Sequence, residues 1–186
     1  MQADDPALVR RCLKGDVEAV RSLVERFQAD VFGLCVRLLH HRQDAEDVVQ
    51  ETFLRVFRNL GNELSSNRPL KPWIMGIAVN RCRTWMTQRT KRPELVDYLH
   101  ETAEGRPTDD SGEMVREIQD AVGRLRAEYR VVFVMFHEQN MPYDEIAQAV
   151  SKPIGTVKTW LHALNWKYWN DYEAGGWSPE VEHELP

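Results

Sequence analysis

The hydrophobic pattern of the chain is helical almost throughout. Between residues 17 and 40, apolar side chains recur at steps of three and four, as they do on the buried face of an amphipathic helix. The members of this stripe are Val20, Leu23, Val24, Phe27, Val31, Leu34, Cys35 and Leu38. Asp16 is a favourable N-cap for this helix, and Gly15 ends the helix before it. The same spacing returns in later segments, which predicts an all-α fold.

Three further helices are predicted in the first half of the chain, at 4–14, 44–60 and 72–92. Asp44 is a candidate N-cap for the second of these. Pro72 suits the first turn of the third, and Pro93 stops it. The candidate core positions are Ala7, Leu8 and Leu13 in the first helix, and Trp73, Ile74, Ile77 and Ala78 in the third.

The second half predicts a small bundle of four helices, at 113–125, 127–138, 143–150 and from 156 onward. The last two are joined by a tight turn that carries Pro153 and Gly155, which is typical of a helix-turn-helix. Their candidate core positions are Ile146, Ala147, Val150, Val157, Leu161 and Leu164. The second helix of such a unit usually enters the major groove of DNA. The residues that would meet the bases are Thr156, Lys158, Thr159 and His162.

A polar, acidic stretch with little periodicity separates the two halves. It is rich in Asp and Glu, contains Gly105, Pro107 and Gly112, and is expected to be a flexible linker. The chain is therefore expected to form two small helical domains. The predicted boundaries are 1–93 for the first domain, 94–112 for the linker, 113–172 for the second domain and 173–186 for a disordered tail.

The charge of the chain is acidic overall but locally basic. The formal net charge is −5, which is not the balance of a free-standing nucleic-acid binder. Residues 65–93 nevertheless contain no acidic side chain. Their cations are Arg68, Lys71, Arg81, Arg83, Arg89, Lys91 and Arg92. Basic side chains interleaved with Trp85 suit single-stranded or melted nucleic acid, although a solvated helix face would have the same composition.

Other function classes find little support. The three cysteines are odd in number and lack metal-ligand spacing, so a reducing cytoplasm is the expected compartment. His40, His41 and Asp44 are not followed by further ligands, so no metal site is expected. No apolar run reaches the length of a membrane span, and the N-terminus has no signal-peptide pattern. No paired acids or Ser/Cys–His constellation indicates an enzyme, and no cofactor motif is present.

Three stretches in order resemble the extracytoplasmic-function (ECF) sigma factors of bacterial RNA polymerase, which belong to the sigma-70 family. Residues 44–57 (DAEDVVQETFLRVF) resemble the second-region signature, and residues 73–81 (WIMGIAVNR) resemble the promoter-melting helix of that region. YDEIA at 143–147 together with GTVKT at 155–159 resembles the fourth region. The resemblance covers nearly the whole chain, from about residue 8 to residue 161.

This resemblance implies partners and residue roles. The helix that carries Asp44, Asp47, Gln50, Glu51 and Leu54 would dock on a coiled coil of the polymerase β′ subunit. Lys71, Trp73, Asn80, Arg81 and Arg83 would hold the melted −10 element of promoter DNA. Thr156, Lys158, Thr159 and His162 would read the −35 element. The acidic linker would enter the core polymerase, in which the β subunit is a partner beside β′. An anti-sigma factor is a further candidate partner.

The sequence also departs from the family pattern. Thr84 and Thr87 replace an acid and an arginine, and Leu125-Arg126 replaces a leucine-proline. Trp160 stands where an arginine is common, and each lost phosphate contact weakens binding to DNA. An alternative interpretation is therefore a protein-interaction module that binds polymerase but grips promoters weakly or only with a partner. The aromatic run at Trp160, Trp166, Tyr168, Trp169 and Tyr172 would be bundle packing or a surface for a regulator.

Overall fold

The computed structural model describes residues 5–64, 69–90 and 125–173, and within these ranges the protein is helical with no strand. The all-α prediction is confirmed. The helices are α1 (Asp5–Leu13), α2 (Val17–Leu39), α3 (Arg42–Leu64), α4 (Leu70–Thr90), α5 (Ala127–Phe133), α6 (Tyr143–Val150) and α7 (Ile154–Glu173). The predicted linker, almost all of the helix predicted at 113–125, and the tail beyond 173 lie outside the described residues.

The turn between α1 and α2 forms as the sequence predicts. The Asp16 carboxylate accepts a hydrogen bond from the backbone N–H of Ala19 at 3.1 Å, which satisfies one of the free amides at the start of α2. The apolar face predicted for α1 is only partly right, however. Of the three predicted positions, Leu8 packs partly buried against the core, whereas Leu13 is 46% exposed and Ala7 is also exposed. Val9 and Cys12 are buried instead, because α1 packs on α2 and α3 through a face shifted from the expected stripe.

The start of α3 differs from the prediction for a local reason. The helix begins at Arg42, so Asp44 lies in its first turn and is not the N-cap. The ring Nδ1 of His41 lies 3.2 Å from the backbone N of Asp44. The imidazole therefore occupies the capping position in front of this helix, a role that the sequence reading gave to a carboxylate.

Helices α2, α3 and α4 form the core of the first domain. Their buried side chains include Leu23, Leu34, Val48, Ile74 and Met75, none more than 1% exposed. Two of the four predicted core positions of α4, Ile74 and Ala78, are fully buried. The other two, Trp73 and Ile77, are only partly buried on a neighbouring face of the helix.

The second domain contains the predicted helix-turn-helix. Ile146, Val150, Val157, Leu161 and Leu164 are buried between its two helices and α5, while Ala147 is half-buried. Ser151 ends α6 in the left-handed conformation, with φ 54°. The single helix predicted at 127–138 is instead α5 followed by a π-helical turn at Val134–Glu138, where the backbone N–H of Gln139 bonds to Val134 O at 3.1 Å.

The two domains pack against each other. Helix α4 lies along α6, and α2 contacts α5 and the π-helical turn. Their buried apolar side chains belong to one continuous cluster that runs from Val9 to Leu164. This packing brings the face of α4 that carries Trp73 against the helix-turn-helix.

Candidate polymerase and nucleic-acid interfaces

The outer face of α3 is acidic and contains one exposed leucine. Asp47, Gln50, Glu51 and Leu54 are all exposed, and their spacing places them on one side of the helix. Leu54 is 55% exposed although Phe53 and Val56 beside it are buried. Asp44 is half-buried at the N-terminal end of the same side. The structure thus places together all five residues that the sequence assigned to polymerase binding.

Two acids of this face are tied to α4 by arginines. Arg81 Nη2 donates to Glu51 Oε2, and Arg89 Nη1 donates to Asp44 Oδ2 at 3.0 Å. The side chain of Arg81 is only 13% exposed, whereas that of Glu51 is 51% exposed. Arg81 Nε is buried and has no hydrogen-bond partner among the described residues. The Arg81 side chain therefore points towards α3, where its ion pair with Glu51 joins α4 to α3.

The residues assigned to the melted −10 element do not form one open surface. Lys71 Nζ lies 2.9 Å from Asp30 Oδ2 and donates to the backbone O of Gln139 at 3.2 Å, so it bridges the two domains. Trp73 and Asn80 line a cavity of about 210 Å³ between α4 and α6. Arg83 is half-buried, and Asn80 is itself exposed at the rim.

The residues assigned to the −35 element are accessible. Lys158, Thr159 and His162 are exposed, and Thr156 is half-buried at the start of α7. Buried Val157 and Leu161 hold the opposite side of this helix in the core. Thr159 Oγ1 donates to Gly155 O at 2.8 Å, and Lys158 Nζ lies 5.8 Å from the centre of the Tyr143 ring. This side of α7 is therefore open to solvent.

One buried arginine at the domain boundary was missed by the sequence reading. Arg130 is 9% exposed, and its guanidinium donates to Leu125 O at 2.9 Å and to Leu38 O, at the C-terminal end of α2, at 3.4 Å. Its Nη1 also lies 2.5 Å from His40 Nε2. Burial, and then the charges of Arg130 and Arg37, lower the pKa of His40. The sequence feature that could have revealed this buried arginine is its position inside the apolar run at 129–135.

The cysteines are part of the core. All three are buried and free, and the Sγ atoms of Cys35 and Cys82 lie 3.6 Å apart between α2 and α4. The neighbouring Cys82 thiol and burial raise the pKa of Cys35. Among the described residues, no cluster of three His, Cys, Asp or Glu side chains could hold a metal ion. In the same part of the chain no helix is both long and apolar enough to cross a membrane.

Comparison with known proteins identifies the family of this chain. Residues 23–92 match the family model of sigma-70 region 2, and residues 115–163 match that of sigma-70 region 4. The ECF RNA polymerase sigma-E factor of Haemophilus influenzae is 31% identical, covering 85% of this chain and 89% of the relative. The ECF sigma factor SigW of Bacillus subtilis is 30% identical, covering 83% and 89%. The chain belongs to the sigma-70 family of RNA polymerase sigma factors, in its ECF group.

Solved structures share the fold at lower identity. CnrH in complex with the cytosolic domain of CnrY superposes with a TM-score of 0.69 at 20% identity, covering 92% of this chain and 99% of that chain. The sigma factor RpoE of Bartonella quintana, in complex with the anti-sigma factor NepR, also gives a TM-score of 0.69, at 17% identity and with coverage of 83% and 96%. The arrangement of helices is therefore that of known sigma factors.

Proposed function

We propose that this protein directs core RNA polymerase to specific promoters and initiates transcription there as an ECF sigma factor. Family membership supports this, and the observation that carries it in the structure is the exposed acidic face of α3 around Leu54. The proposed region 2 domain is 1–93 and the proposed region 4 domain is 113–172, with 94–112 as their linker. The protein would act in the cytoplasm as a specificity factor, without catalysis or a cofactor of its own.

Polymerase docking is assigned to α3. A face with Asp47, Gln50 and Glu51 around an exposed leucine suits a basic, amphipathic helix of a partner, here the coiled coil of the β′ subunit. The acids would contribute electrostatic steering and the leucine an apolar anchor. The same face explains how a protein of net charge −5 reaches DNA, because the polymerase would supply most of the affinity.

Promoter recognition is divided between two helices. The exposed side of α7 would read the −35 element as duplex, with Lys158 as a phosphate or base contact. Helix α4 would hold the melted −10 element through Lys71, Trp73, Asn80 and Arg83. For Arg81, the pairing with Glu51 favours a structural role over the predicted contact with DNA. An anti-sigma factor is proposed as a further partner, as in the complex of RpoE with NepR.

One observation favours the alternative, in which the protein binds polymerase but binds promoter DNA only weakly. Lys158 is the single Lys or Arg between residues 154 and 164, the part of α7 whose side chains the structure describes. Each phosphate contact that is absent lowers the affinity for DNA and reduces its dependence on salt. This alternative therefore predicts core binding without specific transcription.

The test is transcription in vitro with purified protein, bacterial core polymerase and a library of promoter fragments. Core affinity is measured with Asp47→Lys, and Glu25→Lys is the matched control because Glu25 is an exposed acid on α2. Promoter use is measured with Lys158→Ala, with Lys14→Ala as its control in the exposed α1–α2 turn.

We expect start-site-specific transcripts, lost with Asp47→Lys and reduced with Lys158→Ala, while both controls behave as the parent protein. Tight core binding without any specific transcript would establish the alternative. Absence of core binding in the parent protein would refute both functions and leave only the fold.

A further inference from the structure

The part of α7 whose side chains the structure describes carries one cation, the exposed Lys158. The proposed function places this side chain at the −35 element. A lysine is an ammonium group on a flexible four-carbon stem, so the helix alone does not fix where the charge lies. Fixing the stem on DNA costs conformational entropy, and a neighbour that holds it beforehand lowers that cost. The surroundings of Lys158 therefore bear directly on how tightly α7 binds DNA.

The neighbour of Lys158 is an aromatic ring. The ammonium lies over the ring of Tyr143 at the start of α6, with Nζ 5.8 Å from the ring centre, within the range of about 6 Å for a cation–π interaction. In the described part of the chain, Lys158 forms no ion pair with a carboxylate. A carboxylate would neutralise the cation and repel a phosphate. A ring attracts the ammonium and leaves its positive charge available to DNA.

A second aromatic ring supports the ring of Tyr143. Tyr143 stacks on Phe136 of the π-helical turn, with ring centres 5.1 Å apart and planes 6° from parallel. Phe136 is half-buried and meets the His137 ring edge-on, with 4.9 Å between ring centres. His137 in turn contacts Phe133, at 4.6 Å. Because Tyr143 is itself 37% exposed, this stack gives an exposed ring a defined position.

The core of the helix-turn-helix holds both backbones close to this contact. Ile146 on α6 and Val157 on α7 are fully buried, three residues after Tyr143 and one residue before Lys158. Only the two side chains are therefore free to move relative to each other. Their contact lies at the exposed surface of the unit, so DNA bound by α7 can meet the ammonium without a change in the fold.

We propose that Tyr143 is a positioning residue for DNA binding: its ring, supported by Phe136, holds the Lys158 ammonium where it contacts DNA. The proposal rests on the proposed function for the role of α7 at the −35 element. It explains how a recognition helix with one described cation binds DNA, because that cation is held in place without being neutralised. Tyr143 acts through Lys158, so its effect must vanish when Lys158 is absent.

The test measures binding by the holoenzyme, formed from the full-length chain and core polymerase. The probe is a labelled duplex that covers the upstream half of a promoter fragment, which the parent holoenzyme selects from a fragment library. Tyr143→Leu removes the ring and Tyr143→Phe keeps it, while Lys158→Ala is used alone and combined with Tyr143→Leu. Tyr129→Leu is the matched control, because the Tyr129 ring contacts Trp160 of α7 instead, with 6.0 Å between ring centres.

Dissociation constants are measured by fluorescence anisotropy at several salt concentrations, and circular dichroism checks the fold of each variant. We expect Tyr143→Leu to weaken binding about twofold to fivefold, as for an exposed cation–π contact. Tyr143→Phe and Tyr129→Leu should bind as the parent does, and the double variant no more weakly than Lys158→Ala alone. The salt dependence should decrease with Lys158→Ala but keep the parent slope with Tyr143→Leu, because the phosphate contact still forms in the complex.

Three results would overturn the proposal. Parent-like binding by Tyr143→Leu would show that the ring does not hold the lysine. An equal loss with Tyr143→Phe would assign the effect to the hydroxyl group. An equal loss from Tyr143→Leu with and without Lys158 would assign it to the fold of the helix-turn-helix. If Lys158→Ala binds as the parent does, or if the parent holoenzyme selects no fragment, the proposed function of α7 has failed and this proposal fails with it.

Discussion

The ion pair between Arg81 and Glu51 predicts an asymmetric response to substitution. The Arg81 side chain is 13% exposed and that of Glu51 is 51% exposed. Replacing Glu51 with Met leaves a mostly buried cation without its counter-charge. Replacing Arg81 with Met leaves a carboxylate that water can hydrate, and it removes an Nε that has no partner among the described residues. The two substitutions therefore break the same bond at different cost.

The magnitudes follow from burial. Exposed ion pairs contribute about 0–1 kcal/mol, and screening at the half-exposed Glu51 keeps the loss with Arg81→Met near 0.5 kcal/mol or less. A buried charged group left unsatisfied costs more, so Glu51→Met should cost about 1–2 kcal/mol. Arg, Glu and Met have similar helix propensities, which removes that contribution from the comparison. The double variant should resemble Arg81→Met alone.

The assay is equilibrium unfolding in urea at two salt concentrations. With a slope of about 2 kcal/mol per molar urea, the midpoint should fall by about 0.5–1 M for Glu51→Met and by about 0.25 M or less for Arg81→Met. Arg83→Met on the same helix serves as the control. A loss with Arg81→Met equal to or larger than that with Glu51→Met would refute the reasoning. Loss of single-strand binding with Arg81→Met as large as that with Arg83→Met would restore Arg81 as a DNA contact.

Two other predictions concern the domain boundary and the core. Burial and the charges of Arg130 and Arg37 lower the pKa of His40 below 6.5. The free energy of unfolding should therefore keep its full value above pH 6.5 and decrease as the pH falls from 6.5 towards the lowered pKa. Urea midpoints at pH 7.5 and 5.5 test this: His40→Asn, which tolerates the left-handed φ of 56°, should show a smaller difference, and an equal difference would contradict the assignment. Cys35 and Cys82 should react with a thiol-specific reagent only as fast as the protein unfolds, because both are buried and therefore inaccessible to the reagent, and the pKa of Cys35 is raised. Rapid labelling of both in the native protein would show that the α2–α4 core opens locally.

The helices could be predicted from sequence because their apolar stripes are long and regular. The Asp16 cap and the helix-turn-helix follow local rules that involve residues within a few positions of each other. The face of α3 follows from the same periodicity, since its apolar side must be buried. These features depend on neighbours along the chain, which is the information that a sequence displays directly.

The contacts between the domains could not be predicted in this way. Gly76 looks like any helical glycine until Ala149, 73 positions later, lies against it. Arg81 appears in the sequence as one of seven cations in a basic patch, yet the fold directs it to Glu51. The pattern on α1 failed because a nine-residue helix has too few turns to define its buried side against two neighbours.

The π-helical turn at Val134–Glu138 holds one residue more than an α-helix would in the same length. Each residue of an α-helix advances about 100° around the axis, so deleting one residue here would rotate everything that follows by about that angle. Glu138 and Gln139 would then turn away from Arg37 and Asp30 while the helix itself remained intact. A single codon lost at this turn would therefore change both how the second domain meets the first and how α5 meets the helix-turn-helix, because α5 also packs on α7.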